Sequence, residues 1–173
     1  MNYKTHINGG ILAGLYITSQ MQSINILPTA IFLGSSIIGS LLPDIDHKNS
    51  YIGKRVKPVS KVINKLAGHR KLFHSPILYL VLYIGSMSVV TNKLGLNFLF
   101  GLFLGIFSHL FLDSLTVGGL PWFYPISKKR FSLAHIKTNS QLEFTLCGIL
   151  LCVNVVVLLD ILKITSIFTF TQG

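Results

Sequence analysis

His109 and Asp113 stand four residues apart at the end of an apolar segment that begins near Leu96. On a helix, residues at this spacing lie on nearly the same face, one turn apart. An imidazole and a carboxylate so placed can hold a metal ion between them, as the two histidines of an H-E-x-x-H motif do. The alternative is a buried His–Asp hydrogen bond within a helix bundle. Gly101 and Gly105 precede the pair at the same spacing and indicate close helix packing beside it.

The composition predicts a membrane protein. Half of the 173 residues are hydrophobic and 12% are charged, whereas soluble proteins carry about 25% charged residues. The length suits one domain, so we treat residues 1–173 as a single membrane-embedded unit. The net charge of +10 does not indicate nucleic-acid binding here, because the basic residues lie in two loops beside apolar segments, as the positive-inside rule expects.

Five apolar segments predict an all-α fold, since lipid admits only helices or closed barrels and these segments are not alternating ten-residue strands. They cover residues 7–24, 29–42, 76–90, 96–112 and 142–162. The last has the full length of a span, about 20 residues. We expect a bundle of four to five helices, with a short amphipathic helix near residues 59–66 on the cytoplasmic face.

The basic loops predict how the helices cross the membrane. Residues 48–75 hold eight of the fifteen Lys and Arg residues and no acidic one, and residues 126–140 form a second basic loop. With both loops in the cytoplasm, the N-terminus is cytoplasmic and the C-terminus is outside. All six histidines and four of the five acidic residues then fall at the cytoplasmic face. Because only Lys and Arg set this topology, the convergence independently indicates a site.

A set of histidines and carboxylates without thiolates suits Zn²⁺, Mn²⁺ or Fe²⁺. Two such ions can polarise a phosphoryl oxygen, activate a water and clamp an in-line displacement. We expect one or two ions, zinc first. The predicted ligands are His6, Asp44, His74, His109, Asp113 and Glu143. Asp46 or His69 is predicted to be a further ligand or the general base.

A basic and aromatic segment after the fourth apolar segment is predicted to bind an anionic headgroup. Its residues are Trp122, Lys128, Lys129 and Arg130. Lysine would act as a point charge and arginine as a fork for phosphate oxygens. An aromatic-belt anchor flanked by positive-inside lysines is the alternative.

Several motifs occur in a fixed order: an early histidine, LLPDIDH at 41–47, HRKLFHS at 69–75, SHLFLDSLT at 108–116 and WFYPISKKRF at 122–131. Together they resemble the YdjM family of bacterial inner-membrane proteins. The resemblance implies a multi-pass bacterial inner-membrane protein with metal-dependent hydrolase activity.

The chain is more distantly similar to the zinc-dependent phospholipase C and single-strand nuclease group. That likeness implies a ligand order of His6, Asp44, His74 or His69, His109 and Asp113. His135 and Glu143 depart from the pattern, because they stand eight residues apart where that group has four. This departure favours one or two ions over three.

These observations lead us to expect a membrane-bound metal-dependent hydrolase of phosphoester bonds, acting on phospholipids at the cytoplasmic face. Two alternatives remain. A metal carrier or sensor would use the same ligands, but the outer halves of the segments have almost no ionisable residue. A membrane-tethered regulator would act through the basic residues of 48–75. The sequence does not indicate an oligomeric state.

Overall fold

The computed structural model describes residues 1–21, 25–67 and 72–163. In these ranges it contains six α-helices and two short 3-10 helices and no extended strand, so the all-α prediction is confirmed. The α-helices are α1 Tyr3–Ser19, α2 Ile26–Gly39, α3 Lys57–Ala67, α4 Pro76–Met87, α5 Lys93–Ser114 and α6 Gln141–Ile161. The 3-10 helices are Leu42–Asp46, directly after α2, and Leu72–His74, directly before α4.

Three helical segments are long and apolar enough to cross a membrane. They are Ile26–Asp46, Lys93–Ser114 and Gln141–Ile161, and α4 is a shorter apolar helix. Four to five spans were expected, and among the described residues three meet the requirement of length and composition. α1 buries Thr5, His6 and Thr18 against its neighbours. Polar side chains such as these make it a packed helix of the bundle.

α2 and α5 form the most extensive helix pair of the described structure, and small residues bring their backbones into contact. A Cβ atom at Gly105 would collide with the carbonyl of Ser36, and one at Gly39 would collide with the carbonyl of Leu102. Close backbone approach of this kind is how helices associate in lipid. The predicted packing seam is therefore confirmed, and it fixes the end of α5 against the end of α2.

α1 is attached to both of its larger neighbours by hydrogen bonds. Ser36 Oγ of α2 donates to the carbonyl oxygen of Gly10 at 2.8 Å. Asn154 Nδ2 of α6 donates to the carbonyl oxygen of Asn8 at 3.0 Å. These bonds bring the start of α1 to the end of the bundle where α2 and α5 finish.

α3 is the amphipathic helix expected near residues 59–66, and it packs on the 3-10 helix Leu42–Asp46. Asn64 Nδ2 donates to the carbonyl oxygen of Asp46 at 2.7 Å. Val59 and Val62 are exposed while Ser60 is buried. α3 therefore covers the turn that follows α2 and keeps an apolar strip on the surface.

Candidate metal centre

Four separate segments bring buried histidine and aspartate side chains to one end of the bundle. His6 comes from the first turns of α1, and Asp44 from the 3-10 helix after α2. His74 ends the 3-10 helix before α4, and His109 and Asp113 occupy the last turns of α5. The side chains of the three histidines and of Asp113 are at most 2% exposed, whereas that of Asp44 is 20% exposed.

Two groups of three residues could each hold an ion. His6, His109 and Asp113 offer ligand atoms within 4.8 Å of one another. Asp44, His74 and His109 do the same. His109 belongs to both groups, so the two candidate positions are adjacent.

Asp113 lies between the two positions because its two oxygens face different histidines. Oδ1 lies 3.4 Å from His6 Nε2. Oδ2 lies 3.6 Å from His74 Nε2 and 3.8 Å from His109 Nε2. Asp44 Oδ1 approaches the same two nitrogens, at 3.8 Å from His74 Nε2 and 4.0 Å from His109 Nε2. Asp113 therefore presents one oxygen to His6 and the other to His74 and His109.

These separations can be compared with the geometry of a zinc site. Zinc ligands lie about 2.0–2.2 Å from the ion, so two ligands at the tetrahedral angle are about 3.3–3.6 Å apart. All five of the nitrogen–oxygen distances given above are between 3.4 and 4.0 Å. The shorter of these distances match a tetrahedral zinc site, and the longer ones slightly exceed it.

The hydrogen bond of His109 sets its ring tautomer. Its Nδ1 lies 2.7 Å from the carbonyl oxygen of Ser40, at the end of α2. A carbonyl only accepts, so Nδ1 carries the proton and Nε2 presents a lone pair to the candidate site. Histidine ligands of metals are commonly oriented in this way.

Asp46 orients His74 in the same manner. Asp46 Oδ2 lies 3.2 Å from His74 Nδ1, and both side chains are at most 1% exposed. The carboxylate accepts the Nδ1 proton, which leaves Nε2 directed toward Asp44 and Asp113. Asp46 was predicted as a ligand or general base, but the structure places it behind His74.

Two of the buried histidines hold ring nitrogens that make no hydrogen bond within the described ranges. These atoms are both nitrogens of His6 and Nε2 of His109. The two rings stack with centroids 3.7 Å apart and an interplanar angle of 13°. Leaving a buried polar atom without a partner costs about 1–3 kcal/mol. Cation ligation would satisfy one nitrogen of each ring, so the residues present fit a divalent metal.

The amino group of Met1 also reaches the cluster and donates to Asp113 Oδ1. A positively charged group is thus already set against this carboxylate, on the side where His6 lies. An ion held by this oxygen and His6 would replace the ammonium contact.

Glu143 was predicted as a metal ligand, but its carboxylate holds the start of α1. Oε1 accepts hydrogen bonds from the backbone N–H of Asn2 and from Thr5 Oγ1. Oε2 accepts from the backbone N–H of Asn139 at 2.6 Å. Among the described residues, neither group of candidate ligands includes Glu143. Its effect on the site is therefore exerted through α1, where His6 follows Thr5 by one residue.

The remaining predicted residues lie apart from the cluster or beyond the described ranges. His69 lies outside the described residues. His135 is exposed in the loop after α5, with a φ of 53°. Trp122 is half-buried against the apolar core of α4 and α5. The three basic residues of the predicted headgroup site are exposed, namely Lys128, Lys129 and Arg130.

The loop that carries these basic residues is fastened next to His74. Ser75 Oγ donates to the carbonyl oxygen of Tyr124 at 2.6 Å. An isolated bridge between Leu120 and Phe131 closes the base of the loop. The loop therefore contacts the residue that follows His74 at one point, Tyr124.

Sequence reasoning missed the groups that hold the ligands in place. The role of the Ser40 carbonyl as a hydrogen-bond acceptor cannot be predicted from residue type, because every residue has a carbonyl. Asn139 and Thr5 are ordinary loop and helix-start residues in the sequence. The only available signal was that Ser40 ends a segment of small residues that had to pack against α5.

The fold and the cluster define a class: a helical membrane protein with three candidate spans and a buried His/Asp site at one end of its bundle. The model of the YdjM inner membrane protein family matches residues 1–170, and the chain belongs to this family. The family resemblance inferred from the motifs is confirmed.

Two relatives illustrate the similarity. The Bacillus subtilis protein named uncharacterized protein YvsG is 33% identical over 143 residues, which cover 83% of this chain and 85% of that protein. The inner membrane protein YdjM of Escherichia coli is 36% identical over 117 residues, or 65% of this chain. The match covers 59% of the length of the Escherichia coli protein. No solved structure matches the chain.

Proposed function

We propose that this chain is a membrane-embedded, metal-dependent hydrolase that cleaves phosphoester bonds of phospholipids at the cytoplasmic face of the inner membrane. The observation that carries the proposal is the convergence of five candidate ligand residues from four segments, whose donor atoms lie within 4.8 Å of one another in each of two groups. These residues are His6, Asp44, His74, His109 and Asp113. Membership of an inner-membrane family supports the location.

The proposed ligands divide over one or two ions. Asp44, His74 and His109 would hold one, with Asp113 as a further ligand, and His6 would hold a second together with Asp113, because the one free lone pair of His109 Nε2 can bind only one ion. Zinc is the first choice because histidine and carboxylate ligands without thiolate suit it, while manganese and iron fit the same donors. A bound divalent ion would supply Lewis-acid polarisation of the phosphoryl oxygen and an activated water.

The other roles follow from burial and position. Asp44 is the most exposed carboxylate of the cluster, at 20%, so water and substrate would reach the site past it. We propose that Asp44 both binds the metal and accepts a proton from the attacking water. Asp46 holds His74 in its ligating tautomer. The exposed basic residues Lys128, Lys129 and Arg130 would bind the phosphate of the headgroup, and their loop contacts Ser75, next to His74, through the carbonyl of Tyr124.

The cytoplasmic orientation rests on charge. Eight basic residues and no acidic residue lie between positions 48 and 75, in the stretch that joins two parts of the cluster. Basic loops are retained on the cytoplasmic side, where anionic lipid headgroups also attract them.

The experiment is a hydrolysis assay with purified protein in vesicles of phosphatidylethanolamine and phosphatidylglycerol, with zinc or manganese supplied. Water-soluble phosphorylated products would be quantified by mass spectrometry. We expect release of headgroup by the wild type, abolished by chelator and by His109→Ala. His135→Asn is the matched control, because His135 is exposed outside the cluster and asparagine tolerates its positive φ. Equal product release by wild type and His109→Ala would overturn the proposal.

A further inference from the structure

An apolar groove of about 640 Å³ lies between α1, α5 and α6, next to the candidate metal centre. This volume falls in the range of about 300–1,000 Å³ typical of small-molecule sites. Twelve residues line the groove and none of them is charged. It is therefore built to take a hydrocarbon, and not a polar molecule.

One end of the groove touches the turn of α5 that carries the proposed ligands. Ser108 and Leu112 line the groove, and they are the immediate neighbours in sequence of His109 and Asp113. Across from them, a Cβ atom at Gly9 would lie 2.8 Å from Ser108 Oγ. Gly9 follows His6 by less than one helical turn. The two helices that line this end thus also supply His6, His109 and Asp113.

From this end the groove runs away from the site along all three helices. In α1 it extends from Gly9 to Tyr16, and in α5 back from Leu112 to Leu104. Eight residues of rise along α5 correspond to about 12 Å. The groove is thus elongated along the helices, with its near end at the level of the metal centre.

The surroundings of the groove determine what can occupy it. α5 and α6 are candidate membrane spans, so the groove opens at the depth of the hydrocarbon core. Its rim residues Phe107, Phe111 and Val153 are 39%, 55% and 38% exposed. At that depth the molecules available to fill an apolar groove are lipid chains.

We propose that this groove binds one acyl chain of the lipid whose phosphoester lies at the metal centre. This inference rests on the proposed function and specifies its substrate class: a phospholipid that enters sideways from the bilayer with its chain between α1, α5 and α6. A soluble phosphoester would lack this contact and would be a poor substrate.

The test measures chain binding directly, without relying on activity. The probe is a phosphatidylglycerol with a photoactivatable diazirine in one acyl chain, placed with the full-length protein in phosphatidylethanolamine nanodiscs. Val153→Trp fills the groove from its rim. Val155→Trp is the matched control, because Val155 is on the same helix, is 50% exposed and does not line the groove. Labelled peptides of α1 and α5 are quantified by mass spectrometry.

We expect Val153→Trp to lower labelling of the groove residues of α1 and α5 by about tenfold, since excluding even two methylenes from an apolar site weakens binding to that extent. Val155→Trp should label like the wild type. Equal labelling in the two variants would overturn the groove proposal. Loss of labelling in Val153→Trp alone would support the groove proposal. If the wild type at the same time bound no metal and hydrolysed no lipid, the proposed function would be refuted while the groove proposal stood.

Discussion

Replacing Asp46 with asparagine tests whether the carboxylate behind His74 tunes metal binding. The substitution keeps the size of the side chain and removes its charge. In the structure Asp46 Oδ2 accepts from His74 Nδ1 across 3.2 Å, and both side chains are buried. The expected effect is therefore on the ligand strength and ring tautomer of His74 rather than on packing.

The magnitude follows from the strength of the hydrogen bond. Bonds to charged groups contribute about 1.5–3 kcal/mol and neutral ones about 0.5–1.5 kcal/mol. Loss of the charge thus costs about 1–1.5 kcal/mol, which is about a tenfold change in a binding constant. Outer partners of metal-binding histidines typically contribute 10–100-fold in affinity. We expect Asp46→Asn to weaken metal binding by at least about tenfold.

The assay is competition with a chromophoric chelator, using purified protein and a fixed zinc concentration. His135→Asn serves as the control for changing a histidine or aspartate side chain outside the cluster. Circular dichroism verifies that helix content is retained. A zinc affinity of Asp46→Asn within twofold of the wild type would refute the reasoning, because a partner that orients a ligand cannot lose its charge without effect.

Two further substitutions test how the bundle positions the site. Gly105→Ala should lower the free energy of unfolding by about 1–3 kcal/mol, because the added Cβ meets the carbonyl of Ser36. Gly85→Ala is the control, because the space around Gly85 is open. Equal melting temperatures of the two variants would contradict the close contact of α2 and α5. Glu143→Gln should destabilise the fold by about 1–2 kcal/mol, because Glu143 accepts hydrogen bonds from backbone groups outside the cluster. The number of metal equivalents bound at saturation should not change. Loss of metal without loss of stability would indicate that Glu143 is a ligand after all.

The sequence predicted the helix packing around the site because that packing depends on residue size. Gly101 and Gly105 recur at one helical turn, and Gly39 lies in a segment of small residues. Such patterns lead to close backbone contact in lipid irrespective of the details of the fold. The same periodicity put His109 and Asp113 on one face of α5, and the structure has them with their ligand atoms 3.8 Å apart.

The sequence could not separate residues that face the site from residues that stand behind it. Topology brought Asp44, Asp46 and Glu143 to the same end of the bundle, but whether each points into the site depends on its direction around the local axis and on neighbouring backbone N–H groups. The 3-10 helix turns Asp44 toward His74 Nε2 and Asp46 toward Nδ1. The N–H groups near Glu143 come from the N-terminus and from residue 139, which residue types alone do not reveal.

The number of membrane spans could not be predicted reliably from the sequence. Apolar composition indicated five segments, but α4 is 12 residues long and α1 is 17. A span requires about 20 residues, or about 30 Å of helix. The sequence did not show that the 3-10 helix would continue α2 to give the span Ile26–Asp46.

The most direct test of the account is the metal content of the purified protein, measured by elemental analysis beside His109→Ala and Asp113→Asn. His109 belongs to both candidate groups and Asp113 faces both. The account predicts about one or two equivalents of zinc, manganese or iron in the wild type, strongly reduced in both variants. Less than about a tenth of an equivalent in the wild type, even after incubation with each of these ions, would contradict the account, since donors this close should retain a divalent cation.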